Sequence, residues 1–160
     1  MKKDIVNLRR WSYADLLASR EKPHREWENC ELIQDHCKLG SHLCKAILRG
    51  DNREAAYLLK SGAPVNHQDH PDGWTPLIFS IYYDNPEGRK LLITHGADIF
   101  IPDFSGRNVL MFAALTGDPE LISELLKLGL RPETADSLGR TALDFALNTR
   151  NRRCIELLSK

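Results

Sequence analysis

Apolar residues in this chain fall into short amphipathic runs that return at a fixed interval. A leucine opens one kind of run at Leu43, Leu77, Leu110 and Leu143, and the last three continue as "LIFSIYY", "LMFAALTG" and "LDFALN". A second kind ends each time in a leucine pair: Leu58-Leu59, Leu91-Leu92, Leu125-Leu126 and Leu157-Leu158. Short runs of this kind, broken by turn residues and turning one apolar face to a core, predict pairs of helices.

The turn residues keep the same beat. Gly73, Gly106 and Gly139 stand 33 residues apart, each four residues before a repeat leucine. Gly62, Gly96 and Gly129 keep the register nineteen residues after the first three repeat leucines, and Gly62 and Gly96 sit where a helix C-terminus needs a left-handed residue. Leu43 and Leu77 are 34 apart, which puts one extra residue in "HQDHPDG", a turn where insertion does little harm. Asp51 with Glu54, Asn85-Pro86-Glu87 and Asp118-Pro119-Glu120 are start signals for the second helices. A period of this length implies a stacked array.

These residues resemble the ankyrin repeats. "GWTPLI" and "GRTALD" are similar to that family's helix-opening motif, and "LLKSGAPVN" and "LLITHGADI" to its helix-closing motif. The resemblance runs from about Leu39 to the end and implies an all-α solenoid with short β-hairpin fingers. It also implies a protein-binding scaffold without a catalytic centre. The expected divisions are an N-terminal helical cap over 1–39 and a repeat domain over 40–160, with units at about 40–69, 70–103, 104–136 and 137–160. The family's histidine is replaced by Cys44, Ile78, Met111 and Asp144, and an interhelical glycine by Asp84. Gly88-Arg89 replaces a usual apolar pair, so that second helix is expected to begin late and the stack to be of modest stability.

The ends differ in character. "DIVNLRRWSYADLLASRE" and "HREWENCELIQDHCKLG" have helical apolar spacing, separated by Pro23. They are expected to cap the open face of the first repeat, with a partner-binding arm as the alternative. Leu39-Gly40-Ser41 is expected to break the helix and start the first repeat. The last unit has no closing glycine, and Arg150, Arg152, Arg153 and Lys160 would wet its outer face.

Composition narrows the function. Lysine plus arginine (22) equals aspartate plus glutamate (22), and acids outnumber bases between Asp51 and Asp136, so a basic stripe for nucleic acid is missing. No apolar run nears the ~20 residues that cross a bilayer, and "MKKDIVNLRRW" has no apolar stretch behind its lysines. Four cysteines are too few for a disulfide scaffold, so a reduced, cytoplasmic protein is expected, without membrane or nucleic-acid partners and monomeric when free. Cys30, Cys37 and Cys44, seven apart, suit a buried stripe better than a zinc site. Asp35, His36 and Cys37 are consecutive and cannot form a nucleophile–base chain. His67, Asp69, His70 and Asp72 are expected to form a solvated finger tip. Neither a catalytic residue, a metal nor a cofactor is expected.

The resemblance also gives directions to side chains. Five and six positions after the repeat leucine, residues should line the concave groove: Leu48 and Arg49, Tyr82 and Tyr83, Leu115 and Thr116, Asn148 and Thr149. The residue after each finger glycine (Trp74, Arg107, Arg140) should share that face, with His70, Phe104, Ser105 and Leu138 at the tips and Phe100 between fingers. The expected partner-binding set is Trp74, Tyr82, Tyr83, Phe104, Leu115 and His70, flanked by Arg49, Arg107 and Arg140, since tyrosine, tryptophan and arginine dominate interface hot spots. The competing expectation packs Trp74 and Tyr82 against the Asn85–Gly88 turn. The function expected is occlusion of a partner, as an inhibitor or toxin-immunity protein would do; the alternative is a structural or adaptor subunit of a larger assembly.

Overall fold

A computed structural model describes residues 31–159, with side chains from His36 onward. The helices expected before residue 31 therefore lie outside the described residues. Eight helices lie among the described residues: α1 (Glu31–Leu48), α2 (Asn52–Lys60), α3 (Pro76–Tyr82), α4 (Pro86–Thr94), α5 (Val109–Thr116), α6 (Pro119–Lys127), α7 (Ala142–Thr149) and α8 (Arg152–Leu158). They alternate between an inner layer (α1, α3, α5, α7) and an outer layer (α2, α4, α6, α8). The second helix of each unit starts on a side-chain cap, because its first N–H groups have no carbonyl to bond. Asp51 accepts from the Glu54 N–H at 2.9 Å, Asn85 from Gly88 at 2.8 Å, Asp118 from Leu121 at 2.9 Å and Asn151 from Cys154 at 3.3 Å. Between the two helices of each unit the chain turns on a left-handed residue: Gly50, Asp84 (φ 51°), Gly117 and Arg150 (φ 55°). Asp84 thus takes the glycine's conformation despite its side chain.

The core runs between the layers. α5 is apolar on every side, and Val109, Leu110, Met111, Phe112, Ala113 and Ala114 are all buried. Ala113 and Ala114, with Ala142 and Ala146 of α7, are small and fully buried, so these two helices pack closely. Cys44, Ile78 and Met111 stand where the family's histidine is expected and are buried. The hydrogen bonds between units run elsewhere. Asn85 Nδ2 donates to the Ile47 carbonyl at 3.0 Å, and the Asn52 and Asn85 amides exchange bonds at 3.0 and 3.1 Å. Asn151 Nδ2 donates to the Gly117 carbonyl at 2.9 Å.

Four expectations need correction. α1 is continuous through Gly40, so Leu39-Gly40-Ser41 is no break. A Cβ at Gly40 would lie 2.3 Å from the His67 ring; the glycine is there for close packing. α4 begins at Pro86, not late, and Gly88 makes room for the Asn85 amide, 2.5 Å from where its Cβ would stand. Phe100 is 60% exposed, not core between fingers. The fingers are also slighter than hairpins: they show single antiparallel bridges at Asp69–Trp74 and Ala135–Thr141, with no strand among the described residues.

Asp103 shows why a finger can hold without a sheet. Its buried carboxylate accepts from the N–H groups of Ser105 (2.9 Å) and Arg107 (2.8 Å) and from the Arg107 guanidinium (2.6 and 2.7 Å). Asp136 repeats this with Leu138 and Arg140. Burial opposes ionisation of Asp136, but the Arg140 guanidinium and these N–H groups outweigh it and hold the carboxyl below its ordinary value. Neighbouring fingers are joined by Phe104 N–H to the Asp72 carbonyl and Ser137 N–H to the Ser105 carbonyl.

Candidate protein interface

The first finger breaks the arginine pattern. Trp74 stands where Arg107 and Arg140 stand in the next two, and its indole leans onto the inner helices instead of pairing with an aspartate. Its ring lies 5.3 Å from Phe79, 4.9 Å from Tyr82 and 5.1 Å from Phe112, all edge-on. Tyr83 stacks along Phe79 at 6.3 Å and meets Tyr82 edge-on at 5.2 Å. The Arg107 guanidinium caps this group, 5.1 Å from Phe112 and 6.0 Å from Trp74.

Tyr82 and Tyr83 are therefore both supported and open. Each ring rests on aromatic neighbours, yet they stay 41% and 48% exposed. Rings fixed in this way lose little freedom when covered, which favours binding. The rings of Trp74 and Tyr82 meet each other and Phe112, while the Asn85 amide of the following turn faces Asn52 and Ile47. The Trp74 indole N–H is buried without a hydrogen-bond partner, a cost of about 1–3 kcal/mol left standing in the middle of the group.

The remaining predicted residues are placed less uniformly. Phe104 is exposed but tilts over His70 at 5.3 Å and covers Gly73, where a Cβ would meet its ring at 2.4 Å. These two form a second aromatic pair along the fingers. Leu115 is half-buried against the core. Arg49 is bound to Glu54 at 2.8 Å, at the edge of the first unit. Arg140 sits 4.9 Å above Phe145 in the last unit, away from the tyrosines. Phe79 and Phe112 were not anticipated as part of the group; the four-residue step from Phe79 to Tyr83 was the available signal.

The His67 region is a staple, not a solvated tip. Ser41 donates to Asp69 at 2.7 Å, and both Ser41 Oγ (3.3 Å) and Asp69 (3.6 Å) approach the same ring nitrogen, His67 Nε2. A catalytic triad needs hydroxyl and carboxylate on opposite nitrogens, so this trio ties the first finger to α1. Burial lowers the His67 pKa from its ordinary value, more than Asp69 raises it. Burial, aided by the Asp69 charge, drives the Cys44 thiol far upward, which leaves it an unreactive core group. His70 and Asp72, by contrast, are exposed as expected.

A family profile described as "Ankyrin repeats (3 copies)" matches residues 17–103, and the chain belongs to the ankyrin-repeat family. The match begins upstream of residue 40. Among curated relatives, mouse inversin is 38% identical over 113 residues, 65% of this chain and 10% of its own length. Mouse ankyrin repeat and SOCS box protein 6 is 36% identical over 108 residues, 66% of this chain and 26% of its length. A putative ankyrin repeat-containing protein of Treponema pallidum is 30% identical over 104 residues, 65% of this chain and 35% of its length. The chain thus spans about a third or less of these relatives. Ankyrin repeats are protein–protein interaction modules, and no described helix is long and apolar enough to cross a membrane.

Proposed function

We propose that this chain binds a partner protein across its inner, concave face, with Tyr82 and Tyr83 as the central contacts. The observation that carries the reading is a pair of half-exposed tyrosine rings held rigid by Trp74, Phe79 and Phe112. Contiguous aromatic surface of this kind on a monomer marks an interaction site. Trp74 supplies apolar area, Phe104 and His70 extend the surface along the fingers, and Leu115, Arg49 and Arg140 form its margins. Arg107 acts from beneath, positioning the cluster through Asp103 and the ring faces.

Covering a partner is the mode we favour, so the finer role proposed is inhibition, as in an immunity protein that blocks an enzyme or toxin. The chain is then a cytoplasmic monomer when free. A structural or adaptor role is the second reading, favoured by a separate cleft in the outer layer described below. Affinity capture from the native source, with wild type and Tyr82→Ala/Tyr83→Ala at equal helical content, tests the site. A partner held by wild type and lost by the double variant supports it, and assaying that partner's activity separates inhibitor from adaptor. A partner retained by the variant refutes it.

A further inference from the structure

The outer helices are stapled unevenly. The residue that caps each second helix alternates: Asp51, Asn85, Asp118, Asn151. An asparagine caps with its oxygen and still has an NH₂ to give, whereas a carboxylate has none. Asn85 gives its NH₂ to the first unit and Asn151 to the third. Arg153 adds a 2.7 Å ion pair to Glu120. Asp118 can give nothing to the second unit. The outer pairs α2–α4 and α6–α8 pack together, while between α4 and α6 a cleft of about 400 Å³ opens.

Its walls are regular. α4 contributes Pro86, Arg89, Lys90 and Ile93, and α6 with the residue after it contributes Leu121, Glu124, Leu125 and Leu128, each set at helical one-face spacing. Leu77 and Ile81 of α3 form the floor. Ile93 and Leu128 remain exposed at the rim. Arg89 and Lys90 have no acidic partner among the described residues.

We propose that this cleft is a second docking site, which takes an amphipathic helix of a partner protein carrying acidic residues along one flank. Charge selects the flank: two unpaired cations line one wall, and Glu124 on the other repels an acid placed there. Geometry selects the helix. Both walls are helices with their backbone bonds closed, so no edge is free to pair with a strand, and side chains in the groove must supply the contacts. Each wall is nine residues long, about 13 Å, which matches two turns with anchors at i, i+4 and i+7. The site is independent of the tyrosine face.

The test uses the whole chain and two synthetic helical peptides. Both carry leucines at i, i+4 and i+7; one bears glutamates along a flank and the other lysines. Amide chemical shifts should move along α4 and α6 with the glutamate peptide and much less with its twin. Arg89→Glu/Lys90→Glu should reverse that order, with a change of about tenfold or more in the affinity ratio. Ile93→Asp should abolish binding of both while leaving the far units' shifts in place. Equal binding of the two peptides, shifts confined to Tyr82 and Tyr83, or indifference to the charge reversal would overturn the proposal. So would self-association of the peptide-free chain that Ile93→Asp removes, since the occupant would then be a second copy.

Discussion

Arg107 and Arg140 look interchangeable, yet their settings differ. Both neutralise a buried aspartate, but the Arg107 side chain is 23% exposed and Arg140 44%. Removing one partner of a buried pair leaves the other charge uncompensated. Arg107→Ala should therefore cost about 2–4 kcal/mol in urea unfolding, and Arg140→Ala distinctly less, because Arg140 itself is more open to water and its pair more screened. His67 sets a second expectation. Its folded pKa lies below the ordinary 6.5, so its contribution to stability is full above that value and is lost as pH falls through the folded pKa. Urea midpoints at about pH 7.5 and about pH 5.5 should show this loss, and His67→Gln should shrink it. Of the predicted site residues, the tyrosines and Trp74 were legible because the repeat register assigns their direction. For Arg107 and Arg140 the register assigns a face but not the aspartate four residues earlier that holds each guanidinium.

At the scale of elements, the helices were legible and their glycines were not. Register, caps and leucine pairs locate the helices from α2 to α8 to within a few residues, because each signal repeats and the copies check one another. Gly40 and Gly88 have no such check. In sequence a helix-interior glycine and a helix-breaking one are the same letter; only the His67 ring and the Asn85 amide distinguish them. This can be tested with one change. Gly40→Ala would stabilise an ordinary exposed helix position by about 1 kcal/mol. Here the new methyl meets His67, so thermal unfolding should instead show a loss of about 1–3 kcal/mol. Phe100 failed for a related reason: an aromatic in a finger reads as core, but single bridges do not build enough sheet to bury it.

For the molecule as a stack, stability is a sum of units and the contacts between them, and the weakest contact governs where it opens. In the outer layer, the contact without an asparagine staple is the one between the second and third units, where Asp118 offers no donor. Asp118→Asn keeps the helix cap and adds an NH₂, and should raise stability by about 0.5–1.5 kcal/mol. Amide exchange should show α4 and α6 opening before α8 in the wild type, with the difference reduced in the variant. The same layering separates the two proposed sites in space: an aromatic face on the inner helices and an unstapled cleft on the outer ones.

The central claim concerns the inner face, and a photo-crosslinking amino acid tests it most directly. Tyr83 and Tyr57 are both exposed tyrosines, but Tyr57 lies on the outer helix α2 and is 71% exposed. With the crosslinker at position 83, the captured partner should be joined covalently to the chain; at position 57 it should not. Crosslinking at 57 and none at 83 would contradict the account, and the partner would have to be placed on the outer layer.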